Sequence, residues 1–147
     1  MFQHLFAWVF GIPASDEREN AFQNATLGLD SGDAVQRLRD GVQHNTEKAG
    51  ALLAGEGLFI VADTFALDHD WPRIPVLISL VCLVLGAFLV MSILRSTMRM
   101  YRHPIAGANP ARLVYHLLLS RMIRFNLALY LTFASVLLLG IAAASLV

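Results

Sequence analysis

Acidic and basic side chains vanish from this chain over two long runs. Pro75 to Leu94 (PVLISLVCLVLGAFLVMSIL) holds none and includes the lone Cys82, and Phe125 to Val147 (FNLALYLTFASVLLLGIAAASLV) holds none either. Each run exceeds the roughly 18 residues that mark a spanning helix, and at about 1.5 Å per residue each covers a hydrocarbon core of about 30 Å. A third run, His44 to Trp71 (HNTEKAGALLAGEGLFIVADTFALDHDW), is helical and apolar but carries Glu56 at its middle and Asp63 two turns on. Eight strongly apolar side chains there (Leu52, Leu53, Leu58, Phe59, Ile60, Val61, Phe65, Leu67) favour insertion by roughly 0.3–0.6 kcal/mol each. One acid near the centre opposes it by about 2.5–3.5 kcal/mol, so the sum is near zero. This segment is expected to enter the bilayer only with neighbours: the span beyond the short turn Asp68 to Ile74, and further subunits.

Upstream, Ser15 with Asp16, Glu17 and Glu19 reads as an N-cap and acidic first turn of a helix to about Leu27. Gly28, Asp30, Ser31 and Gly32 break it. Ser31 or Asp33 can then cap a second helix, with Ala34, Val35, Leu38, Val42 and Asn45 on one side and Gln36, Arg37, Arg39, Asp40 and Gln43 largely on the other. Nothing from His44 to Leu67 breaks it strongly, so one helix is expected over 33–67, its first third solvated. Phe2, Leu5, Phe6, Val9 and Phe10 lie at helical spacing beside Trp8, which predicts a short membrane-surface helix ended by Gly11 and Pro13. It has no basic n-region or small-residue cleavage site and is not read as a signal peptide. Pro104, Gly107 and Pro110 turn the chain at RHPIAGANP, and a last helix over about 111–146 is expected to begin outside the membrane, carrying Leu113, Leu117, Leu118, Met122 and Phe125.

Composition agrees: 56% of the 147 residues are hydrophobic. The expected fold is an all-α membrane protein with three transmembrane helices, at about 47–67, 75–94 and 125–147. Residues 1–46 form a cytoplasmic and membrane-surface helical segment, and residues 47–147 the transmembrane domain. Neither residues 1–46 nor the connector of about 30 residues between the second and third spans is long enough for a sizeable core of its own. Cys82, alone and within a span, excludes an intrachain disulfide and reads as a small packing residue. The net charge of zero names no partner, and no nucleic acid is expected.

Charge placement sets the topology. Six arginines (Arg95, Arg99, Arg102, Arg112, Arg121, Arg124) and no acid lie between Arg95 and Arg124, which labels that stretch cytoplasmic. With three spans the N-terminus is cytoplasmic too. Arg18, Arg37, Arg39 and Lys48 are then inside, and Arg73 alone outside.

The candidate chemistry lies in the acidic span. Glu56 and Asp63, seven residues apart, share a helix face with Ala49 and are separated by about 10.5 Å along the axis. Gly50 with Ala54, and Ala51 with Gly55, give small-xxx-small spacing that lets helices approach closely. Two readings stand: a polar stripe lining an oligomeric pore or closed interface, or Glu56 protonated or hydrogen-bonded to Asn126, Thr132 or Ser135 of another helix, with Asp63 near the outer surface. A further reading makes both acids relay sites for protons or ions. Arg95, Arg99, Arg102 and His103 could contact a phosphate or nucleotide, although arginines flanking spans also follow from topology alone. His4, His44, His69, His103 and His116 lack ligand spacing; His69 between Asp68 and Asp70 comes nearest. No metal, no cofactor and no enzyme activity is expected, because the chain has no nucleophile–base pair, phosphate-binding glycine loop, HExxH or CxxC.

The run Lys48-Ala49-Gly50-Ala51-Leu52-Leu53-Ala54-Gly55-Glu56-Gly57-Leu58 resembles the first-span signature of the Pycsar transmembrane effector domain family of bacterial anti-phage defence. There a Lys-Ala-small-x-Leu-Leu-Ala motif opens the span and Asp or Asn follows; Glu56 stands at that place. Thr46 departs from the family, which often has Asp there, and no separable cyclic-nucleotide-binding domain is present. The span after a short turn, and a late span preceded by Ser120-Arg121-Met122-Ile123-Arg124, follow the family order. The resemblance implies a multi-pass effector of the bacterial inner membrane that oligomerises on a nucleotide signal and compromises the membrane. Its expected partners are the lipid bilayer, copies of itself, and a cyclic nucleotide or sensor protein. The alternative is an accessory subunit of a larger membrane complex.

Overall fold

The computed structural model describes residues 17–69, 71–100 and 110–146, with side chains for all of these except 31 and 96–100. The described residues form four helices: α1 (Arg18–Thr26), α2 (Ser31–Asp68), α3 (Arg73–Met100) and α4 (Pro110–Ala144). Gly28 ends α1 in the left-handed region, at φ 73°, where a residue without Cβ meets no steric penalty. Asp30, extended, precedes α2, and its carbonyl accepts the first helical bond from Ala34 N–H at 2.9 Å. The cap position is thus one residue before Ser31 and three before Asp33, the two expected candidates. Its side chain makes no capping bond. Pro75 sits in the first turn of α3 and Pro110 opens α4, positions where a missing N–H costs little.

Helices α2, α3 and α4 are each long and apolar enough to cross a membrane, and the chain is an all-α, multi-pass membrane protein. They pack on one another as a three-helix bundle. The buried positions recur every seven residues. In α2 they are Ala49, Glu56 and Asp63; in α4, Arg121, Ala128, Ser135 and Ala142; in α3, the two series Val76, Leu83, Val90 and Ser79, Gly86, Ile93. A seven-residue repeat keeps one seam of each helix facing its neighbours in a left-handed bundle.

At 38 residues, α2 measures about 57 Å, far more than a hydrocarbon core needs. Its excess lies at the arginine-rich end, beside the first turns of α4. There Ala34, Leu38, Ala111, Val114, Tyr115 and Leu119 form a buried apolar cluster, with Ala21, Phe22 and Leu29 packed against it. The short segment around α1, too small for a core of its own, completes this one. Phe22 meets Tyr115 edge-to-face at 5.4 Å, and Arg112 lies over the Phe22 ring and pairs with Glu19 at 2.5 Å. Arg112, counted from sequence only as a topological label, therefore ties α1 to α4. The predicted surface helix over residues 2–10 and the Ser15 cap lie outside the described residues.

Candidate functional site

The bundle interior is layered along its axis. Nearest the arginine-rich end, Ala49, Val90, Ile93 and Ala128 pack together, with Leu52, Leu53, Leu89 and Phe125 around them. At the opposite end, Ala66, Val76 and Ala142 close the core. Between these apolar ends lie two polar layers.

The first contains Glu56, whose side chain is 0% exposed. Thr132 of α4 donates to Glu56 Oε1 at 2.9 Å and lies 3.0 Å from the Ala128 carbonyl. Gly86 of α3 makes room for the acid, since a Cβ there would overlap Glu56 Oε1 and come within 3.6 Å of the Ala128 carbonyl. The second layer contains Asp63, also 0% exposed. Ser79 of α3 donates to Asp63 Oδ2 at 2.7 Å, and its Oγ lies 2.8 Å from Ser135 Oγ and 3.3 Å from the Ser135 carbonyl. Each acid keeps one buried oxygen, Glu56 Oε2 and Asp63 Oδ1, without a hydrogen-bond partner among the described residues. Leu83, between Ser79 and Gly86 in the sequence of α3, is also fully buried.

These placements divide the residues read together from sequence. Glu56 and Asp63 face the chain's own interior, whereas Lys48, Gly50 and Ala54 are exposed on the other side of α2. Asp63 does not sit solvated at the outer surface, because the seven-residue repeat that buries Glu56 carries Asp63 inward as well. Of the three hydrogen-bonding partners weighed for Glu56, Thr132 makes the bond, and Ser135 belongs to the Asp63 layer. Sequence reasoning missed Ser79 and Gly86. Their signal was the seven-residue spacing of Ser79, Gly86 and Ile93, a seam of small side chains at two of three positions.

Arg121 was also read as a flanking charge, and the structure buries it at the arginine-rich end of the bundle. Its guanidinium donates to Thr46 Oγ1 at 2.9 Å and to the Val42 carbonyl at 3.5 Å, joining α4 to α2. Arg124 reaches Ser92 Oγ of α3 at 3.4 Å. Of the four candidate nucleotide contacts, Arg95 is exposed; the Arg99 side chain, Arg102 and His103 lie outside the described residues. His69 stacks on Phe65 at 3.8 Å, and its Nδ1 lies 2.9 Å from the Phe65 carbonyl, while Asp70 lies outside the described residues. Among the described residues no three His, Cys, Asp or Glu side chains converge as metal ligands.

No family model, curated protein or solved structure matches this chain.

Proposed function

We propose that this chain is a small effector of the bacterial inner membrane, with its N-terminus cytoplasmic, that associates with further copies of itself and breaches the bilayer's ion barrier. One observation carries the reading: α2 has two unlike faces. The inward face spends its acids within the bundle. The outward face presents Gly50, Ala54 and Gly57, with open space beside both glycines and Leu58, Val61 and Phe65 around them. Small residues on a lipid-facing stripe let a second helix approach closely, and in lipid such packing drives helix association. The assembly face is therefore the Gly50–Ala54 stripe, and the acids belong to the closed resting bundle. Anti-phage defence as the setting, and a nucleotide or sensor protein as the trigger, rest on the resemblance of Lys48 to Leu58.

The test is expression in bacteria with membrane potential followed over time. Depolarisation is expected from the parent chain, alone or with its trigger, and is expected to be lost in Gly50→Leu and Ala54→Leu. Glu56→Gln and Glu56→Ala, run alongside, report whether the acid layer also matters. A chain that never depolarises the membrane, or stays monomeric in mild detergent, overturns the proposal. Purification only within a hetero-complex would favour an accessory subunit, with the same stripe packing on a different protein.

A further inference from the structure

The two polar layers repeat one arrangement, each joining an acid of α2 to a backbone carbonyl of α4 through a hydroxyl, Thr132 of α4 in one and Ser79 of α3 in the other. In the first, Thr132 Oγ1 stands between Glu56 Oε1 and the Ala128 carbonyl, at 2.9 and 3.0 Å. In the second, Ser79 Oγ stands between Asp63 Oδ2 and the Ser135 carbonyl, at 2.7 and 3.3 Å, with Ser135 Oγ 2.8 Å away. The acids are seven residues apart and so are the carbonyls, which places the copies about 10.5 Å apart along the axis.

A hydroxyl has one hydrogen and cannot serve two acceptors at once. When the acid is a carboxylate, the hydroxyl donates to it and leaves the carbonyl with its helical bond alone. When the acid takes up a proton, the new O–H donates to the hydroxyl oxygen, and the hydroxyl turns to donate to the carbonyl. In the Asp63 layer Ser135 Oγ adds a second hydroxyl, which donates to Ser79 Oγ in the carboxylate form. One proton is gained, no heavy-atom bond changes, and every donor is satisfied in both forms.

A second observation points the same way. Glu56 Oε2 and Asp63 Oδ1 are fully buried yet have no partner among the described residues. Buried polar atoms in a native interior are normally paired, and an ionisable group at bilayer depth marks function by default. No charged side chain of the spans faces either acid. From Ala49 to Leu67 α2 holds only these two; α3 from Ile74 to Leu94 holds only Cys82 as a titratable group, and α4 from Phe125 to Ala144 only Tyr130, whose side chain is largely exposed. The nearest full charges are at the ends of the spans: Lys48, Arg121 and Arg124 at one, Asp68 and Arg73 at the other.

We propose that Glu56 with Thr132, and Asp63 with Ser79 and Ser135, are two proton-exchange sites that load and unload without opening the bundle. The inference stands on the hydroxyl geometry and does not require the chain to self-assemble.

Infrared difference spectroscopy on the full chain in phosphatidylethanolamine–phosphatidylglycerol vesicles, between acidic and alkaline buffer in heavy water, reads the carboxylic-acid carbonyl bands directly. Two such bands are expected to rise on acidification, one lost in Glu56→Gln and the other in Asp63→Asn, each leaving its neighbour in place. Thr132→Val is expected to shift the Glu56 band, and Thr132→Ser to restore it, so the Glu56 site can be assigned even if Glu56→Gln fails to insert. The proposal is overturned if no carboxyl band changes with pH, if the bands survive both acid substitutions, or if they follow the sodium concentration at constant pH.

Discussion

The same two helices bury opposite chemistries at their two ends. At the arginine-rich end, α2 and α4 hide Ala34, Leu38, Val114, Tyr115 and Leu119 and leave Arg37, Arg39, Asp40 and Arg112 outside. A few turns further on they hide Glu56, Asp63, Thr132 and Ser135 and expose Leu58, Val61, Phe133 and Leu137. The crossover falls where Arg121 meets Thr46. Water rewards burial of apolar surface, so the first region sorts its residues as a soluble core does. Lipid tails are as apolar as leucine and give no such reward. In the second region burial follows from the need to pair polar groups and from close packing of small ones. Burial therefore carries a different meaning in each half of one continuous helix.

The sharpest way to break this comparison is to make one substitution on both sides of it. Leu38→Ala, at a site 5% exposed in the first region, should cost about 2–5 kcal/mol. Leu137→Ala, 67% exposed in the second, should stay within about 0.5 kcal/mol. Reversible unfolding in mixed micelles, followed by helicity, measures both, and equal losses would erase the distinction. Next in size is Gly86→Ala, which forces a Cβ against the Glu56 carboxyl and the Ala128 carbonyl and should cost about 1–3 kcal/mol. Combined with Glu56→Ala, the loss should be smaller than the sum of the single losses; strict additivity would mean the two residues do not meet.

Thr132→Val removes the hydroxyl that serves Glu56 and should cost only about 0.6 kcal/mol, and no more than about 1.7 kcal/mol, as membrane hydrogen bonds do. A larger loss in the same unfolding assay would make the polar layer a main source of stability. The smallest effect belongs to the first region. Glu19→Gln breaks the half-exposed pair with Arg112 and should cost about 0.2–1 kcal/mol, a difference that high salt abolishes. A salt-independent loss there would mean that Glu19 holds α1 by something other than its charge.

Much of the framework was legible in the residues themselves. The two runs without acidic or basic side chains at Pro75 to Leu94 and Phe125 to Val147 announce spans by length and composition, and the absence of breakers from Asp33 to Leu67 announces one long helix; the observed Ser31–Asp68 extends that by two residues at its start and one at its end. The pairing of acids with hydroxyls was harder to read. Glu56 could have met Asn126, Thr132 or Ser135, because all three lie at plausible depth, and helix rotation about its own axis decides which one faces inward. Ser79 and Gly86 escaped notice for a related reason: in an apolar run their seven-residue spacing stands out only once the seam of that helix is known. The cluster around Leu38 and Tyr115 joins residues nearly 80 positions apart, and local periodicity cannot connect them.

By itself the sequence determined that this chain has three bilayer-length helices, two acids on one face of the first, and a cluster of arginines at one end. Hydrophobicity and period are local properties, and they suffice for that. Only the tertiary structure decided that the acids turn into the chain's own bundle and away from the Gly50–Ala54 stripe. It also decided that Arg121 is buried, and that each acid shares a hydroxyl with a carbonyl of α4. Those outcomes depend on which seams three helices choose when they pack, and in lipid that choice is set by fit and hydrogen bonding between distant residues.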